Sequence, residues 1–175
     1  MTARGLLMIE HRLIEKMLKV IKEKMETYKN GNYDPVVVDK VVDFIKVYAD
    51  RTHHGKEEDI LFKKLESKSL NPKDKVIMQD LVNEHIMARK KVGELLSLNS
   101  KIKNGEKSHV NEVAEIINWL GDFYPLHIAK EDKVFFPDAD KYFDEAELKQ
   151  MLDDYYAFDA RMIHEKYQGL YDSLK

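Results

Sequence analysis

Two stretches of the chain carry residue types and spacings suited to metal or proton chemistry. "HHGKEEDILF" (53–62) contains His54 and Glu58, and "HIAKEDKVFFP" (127–137) contains His127 and Glu131. In each, a histidine precedes a glutamate by four positions, so both side chains project from one face of a helix. Two further stretches supply adjacent pairs, Glu10-His11 and Glu84-His85. The stretches can be laid over one another. His54/His127, Glu58/Glu131, Asp59/Asp132 and Phe62/Phe135 are each 73 residues apart, and the two Glu-His pairs are 74 apart. The gaps from His11 to His54 and from His85 to His127 are 43 and 42 residues. The sequence therefore reads as a doubled unit of helix, loop and helix. Each unit brings one lone histidine and one His-x-x-x-Glu pair toward a common core.

Four imidazoles and two carboxylates from four helices make an N4O2 donor set: His11, His54, Glu58, His85, His127 and Glu131. Burying such groups is costly unless something pairs with them. A lone core histidine is ordinarily satisfied by a hydrogen bond, and an isolated His-x-x-x-Glu is ordinarily a surface ion pair. Neither explains why the two halves match, whereas a metal site does. A carboxylate from each half can bridge two ions, and two glutamates reduce the +4 of two divalent cations to +2. Neutral imidazoles complete a set suited to iron, manganese or zinc.

The elements that must position these residues are helices. Apolar residues recur with a 3.6-residue period and no segment alternates over any length. Seven glycines and four prolines mark the breaks. "KNGNYDP" (29–35) and "SKSLNP" (67–72) each end in a capping residue, Asp34 or Asn71, followed by proline at the first helical position. "KNGEKS" (103–108) offers Ser108 as a cap, and Asp144 with Glu147 has capping-box spacing. The spacing predicts helices near 3–29, 35–66, 72–103, 108–136 and 144–174. The second is assigned a face of Val41, Phe44, Val47, His54, Glu58, Leu61 and Leu65. The expected fold is all-α: an antiparallel up-down-up-down four-helix bundle over about 3–136 with an additional C-terminal helix. Residues 1–175 are expected to form a single domain.

Other residues have weaker claims. His53 neighbours His54 but points about 100° away on a regular helix, and its counterpart at the 73-residue offset is Leu126. It is assigned a peripheral or supporting place. Glu10 and Glu84 could orient ligating histidines, and a solvated ion pair accounts for them equally well. Glu15, four after His11, has Arg89 as its counterpart, which argues against a symmetric role. Tyr124, a turn before His127, could hydrogen-bond a metal-bound oxygen species, although core packing is the favoured reading.

Composition removes several alternatives. There are no cysteines, which excludes disulfides, thiolate zinc sites, iron–sulfur ligation and cysteine nucleophiles. The net charge of −3 gives no basic surplus for nucleic acid. The N-terminal apolar run is too short for a signal peptide or a membrane span. A soluble, cytoplasmic protein is expected.

"EHRLI", "HHGKEEDILF", "EHIMA" and "HIAKEDKVFFP" together resemble the hemerythrin-like, HHE cation-binding family over roughly residues 6–137. The resemblance implies a non-haem di-iron centre, with His11 and His54 on one iron, His85 and His127 on the other, and Glu58 and Glu131 bridging. Oxygen-carrying hemerythrins use His-x-x-x-His on the third helix, but here Arg89 stands four after His85. The asymmetric five-histidine centre of the carriers is not matched. The four-His, two-Glu set looks closer to the repair-of-iron-centres type. The resemblance implies chemistry with dioxygen, nitric oxide, peroxide or iron. The leading expectation is a small-ligand sensor, scavenger or carrier. The alternatives are an enzyme acting on peroxide or nitric oxide, and an iron storage or delivery protein.

Overall fold

In the computed structural model, which describes residues 1–27 and 33–173, the chain is all-helical, with no strand among the described residues. Five helices follow in order: α1 Ala3–Thr27, α2 35–66, α3 Pro72–Lys103, α4 110–139 and α5 Glu145–Ser173. The expected turn at 29–35 lies mostly outside the described residues. Its end is described: the Asp34 carboxylate accepts the Val36 amide at 2.9 Å, and Pro35 opens α2. Asn71 caps α3 in the same way, accepting from the Asp74 amide at 2.9 Å. Asp144 and Glu147 form the reciprocal box at the start of α5, with amide-to-carboxylate distances of 2.8 and 3.0 Å. Ser108 does not cap α4. A short 3-10 turn, Lys107–His109, leads into that helix instead.

α2 and α4 are not regular. α2 widens into π-helix over Ile45–His54 and again over Glu57–Phe62, and α4 does so over Glu131–Phe135. Widened turns of this kind are rare and concentrate at functional sites. They lengthen the period of the buried face. On α2 that face runs Val41, Ile45, Ala49, His53, Glu57, Leu61 and Leu65, every fourth residue.

The interior has two apolar clusters. One contains Ile14, Leu18 and Ile21 of α1, Val41 to Ala49 of α2, Ala88 to Leu95 of α3 and Val113 to Ile128 of α4. The other contains Leu7 of α1, Leu61 and Leu65 of α2, Leu81 of α3 and Phe135 and Phe136 of α4, with Met151 and Tyr155 from α5. Buried histidines and carboxylates lie along the helices between them. α5 packs on α1 and α2. Its approach to α2 requires a glycine: a Cβ on Gly55 would lie 2.7 Å from the Phe158 ring.

Candidate metal centre

His11, His53, His54, His85, His127, Glu57 and Glu131 are all buried between the two apolar clusters. Ligand atoms of His11, His53, Glu57 and Glu131 lie within 4.8 Å of one another, as do those of His54, His85 and His127. The two glutamates link the halves. Glu57 places one oxygen 3.2 Å from His53 Nε2 and the other 3.4 Å from His85 Nε2. Glu131 places one oxygen 3.2 Å from His11 Nε2 and the other 3.3 Å from His127 Nε2.

Both oxygens of Glu57, both of Glu131, and the Nε2 atoms of His85 and His127 are fully buried without a hydrogen-bond partner. An unpaired buried polar atom costs about 1–3 kcal/mol, and more when charged. Six of them facing one another make a donor set that a cation would complete. His11 and His53 also aim their Nε2 atoms at each other, 2.8 Å apart.

Every histidine of the group has a carboxylate on its other nitrogen. Nδ1 of His53 meets Glu10 at 2.8 Å, that of His127 meets Glu84 at 2.7 Å, and that of His85 meets Glu58 at 2.7 Å. Nδ1 of His11 meets Asp132 at 2.7 Å, and that of His54 meets Asp50 at 3.3 Å. This arrangement fixes the ring and leaves Nε2 free for the interior, the pattern that orients metal-ligating imidazoles. The orienting carboxylates are themselves anchored. Lys56, fully buried, bonds Glu10, and reaches Asp159 of α5 at 2.5 Å. Lys130 bonds Glu84 at 2.5 Å. Arg89 spans Asp50 and Glu58, at 2.7 Å each.

The electrostatics follow from these contacts. Burial opposes a charge on His11, but its bond to Asp132 and the negative charges of Glu131 and Glu57 outweigh that and lift its pKa to about 10. Burial likewise opposes His85, and the nearby Glu131 carboxylate, its bond to Glu58 and the charge of Glu57 raise it to about 9. His54 moves the other way, held well below the usual range by burial and by the charges of His85, His53 and His127. For Glu131, burial favours the neutral acid, yet the surrounding histidines hold it well below the ordinary carboxylate range.

The structure thus brings together His11, His54, His85, His127 and Glu131 of the expected set, and leaves out Glu58. Glu58 is 26% exposed and faces His85 Nδ1 and Arg89 from outside the cluster. Glu57 occupies the centre in its place, and His53, expected at the periphery, is buried in the group beside His11. The physical reason is the π-helical path of α2, which puts His53 and Glu57, not His54 and Glu58, in line with Leu61 and Leu65. Glu10 and Glu84 lie against Nδ1 of His53 and His127, not against the histidines beside them in sequence. Glu15 pairs with Arg12 at 3.0 Å and takes no part. Tyr124 lies parallel to the His54 ring at 6.4 Å.

A signal for the missed residues is present in the sequence. At a uniform offset of 74, Glu10/Glu84, His11/His85, His53/His127, Lys56/Lys130, Glu57/Glu131, Glu58/Asp132 and Phe62/Phe136 all match in kind. The structure repeats the pairing. His11 stacks on Phe136 at 5.8 Å, and His85 stacks on Phe62 at 6.1 Å. His54 stands outside the repeat, since its counterpart is Ile128. It is the residue that makes the two halves unequal.

A helical protein closed around buried histidines and carboxylates with unpaired donor atoms is of the cation-binding class. The hemerythrin HHE cation binding domain matches residues 2–100 and again 76–167, two spans that begin 74 residues apart, and the chain belongs to that family. No curated protein and no solved structure matches it. No helix among the described residues is long and apolar enough to cross a membrane.

Proposed function

We propose that the chain holds two iron ions and binds a small ligand, dioxygen or nitric oxide, at that centre for sensing, scavenging or carriage. The observation that carries this reading is the six buried donor atoms without partners, ringed by histidines that carboxylates orient from behind. His11 and His53 would hold one ion, and His54, His85 and His127 the other. Glu57 and Glu131 would contribute an oxygen to each. Donors of this kind suit iron, manganese or zinc, and the hemerythrin resemblance of the sequence implies iron. A pair of ferrous ions would supply reversible redox chemistry toward such ligands.

The chain's own residues set the conditions for it. Three histidines on one side and two on the other leave the side of His11 and His53 with fewer donors, so that side would accept an external ligand. The fifth imidazole that Arg89 denies to α3 comes instead from α2, as His54. This departs from the symmetric set of the repair-of-iron-centres type. Leu7, Leu61 and Phe136 are buried in one apolar cluster, and Phe136 stacks on His11 at 5.8 Å, which shields that ring from bulk water. The alternation of apolar residues supports an up-down-up-down bundle: the cluster around Leu7 precedes the histidine on α1 and α3 and follows the glutamate on α2 and α4.

Metal analysis of protein purified from its native host, followed by absorption spectra of the reduced anaerobic protein with each gas, tests the reading. Two irons per chain and a gas-dependent spectrum are expected. No metal, or a spectrum that neither gas changes, would overturn it.

A further inference from the structure

A cavity of about 360 Å³ opens between α2, α3 and α4 and ends against His54. That is roughly ten times the ~30 Å³ share of one water molecule, so it far exceeds what a diatomic gas fills. Its walls are apolar: Ile45, Val92 and Leu96. Its polar lining consists of His54, Asp50, Arg89, Tyr124 and Lys46, of which His54 and Tyr124 are buried and Arg89 and Lys46 exposed.

Two features show that the space is kept open. Tyr124 is 1% exposed and lines the cavity, yet its hydroxyl makes no hydrogen bond with any described residue. The hydroxyl is not among the atoms sealed from solvent without a partner, so it is reached from the cavity and can donate to an occupant there. Gly93 lies in the interior of the 32-residue α3, where glycine costs roughly 1 kcal/mol against alanine. No neighbour demands it, for a Cβ there would meet nothing within 4 Å. What its missing side chain leaves clear is this cavity, which it lines.

The charges say what kind of molecule fits. The lining carries two cations, Lys46 and Arg89, and one carboxylate, Asp50. Arg89 is committed to Asp50 and Glu58, whereas Lys46 is exposed and has no ionic partner among the described residues. We propose that this cavity binds an organic monocarboxylate, with an apolar body of roughly ten heavy atoms or fewer lying along Ile45, Val92 and Leu96. Its polar end takes the Tyr124 hydroxyl hydrogen and the attraction of Lys46. The site adjoins the proposed metal centre, since its occupant would touch His54, one of the proposed ligands, and the Asp50 that orients it.

Octanoate is the probe, titrated by calorimetry into the full chain, both metal-free and zinc-loaded, with octanol as the neutral comparison. Saturable one-to-one octanoate binding is expected in both forms, with octanol at least about tenfold weaker. Gly93→Trp should lower octanoate affinity at least about tenfold by filling the cavity, while its melting temperature holds or rises. Tyr124→Phe should weaken binding severalfold with the fold intact. Nuclear Overhauser contacts from octanoate to the methyl groups of Ile45 and Val92 locate the probe without any variant. The proposal is overturned by absence of saturable binding, by octanol binding as tightly as octanoate, or by contacts that fall elsewhere. Because the metal-free form is titrated too, a failure of the metal reading leaves this result interpretable.

Discussion

Glu57 and Glu58 are adjacent in sequence and differ sharply in what they face, so exchanging each for glutamine separates their roles. Glu57 is fully buried, with oxygens 3.2 and 3.4 Å from the Nε2 atoms of His53 and His85. Its charge is one of two that would offset the +4 of a pair of divalent ions. Glu57→Gln keeps the volume and removes that charge. A unit charge pair at about 4 Å is worth about 4 kcal/mol at an effective dielectric constant near 20, so affinity should fall by close to a thousandfold. Glu58 touches the centre only through His85 Nδ1, at 2.7 Å, and shares its oxygen with Arg89. Loss of such an orienting carboxylate typically costs about 10–100-fold. The assay is competition with a chromogenic chelator, read as the affinity for each ion, beside metal content after dialysis. Glu57→Gln should lose most of its metal and Glu58→Gln should retain most of it. A Glu58→Gln protein that loses more metal than Glu57→Gln would refute the assignment of the centre to His53 and Glu57.

Other consequences follow from the same geometry. His54→Ala should still bind two ions per chain, but with the five imidazoles reduced to a matched four, the two quadrupole doublets in a Mössbauer spectrum should converge; doublets as distinct as in the parent would remove His54 from the ligand set. Chelation should lower the melting temperature by about 10 °C, since binding at a thousand times the dissociation constant contributes about 4 kcal/mol and each kcal/mol is worth about 2–4 °C at this size; circular dichroism should show helix retained, and an unchanged transition would mean no metal had been bound. The metal-free protein should lose stability as pH rises. His11 and His85 have folded pKa values of about 10 and about 9, above the unfolded value near 6.5, so their contribution is complete below about 6.5 and is lost as pH passes through about 9 to about 10. Urea midpoints measured at both ends of that range check the sign, and a midpoint that rises with pH would contradict it.

The sequence by itself determined that the chain is helical, where its breaks fall and that its chemistry comes from a doubled unit. Asp34-Pro35, Asn71-Pro72 and the Asp144/Glu147 pair are local signals, satisfied within a few residues, and the structure closes each of them as expected. His11, His85, His127 and Glu131 were legible because each sits on a stretch of helix whose phase is set nearby. The choice between two overlapping His-x-x-x-Glu pairs on α2 was not. A 3.6-residue period carried along residues 41–65 arrives at His54 and Glu58. The π-helical turns stretch the buried face to every fourth residue, which brings in Glu57 in place of Glu58 and adds His53 beside His54. Tertiary packing decided that path. Leu61 and Leu65 must reach one apolar cluster and Ile45 and Ala49 the other, and Phe158 of α5 lies against Gly55 between them. Asp50 lies one helical turn from His54, but which carboxylate stands behind the other histidines is revealed by spatial proximity. Asp132 stands 121 residues from His11 and Glu10 stands 43 from His53, so neither pairing has a local signature and only the closed bundle brings them into contact.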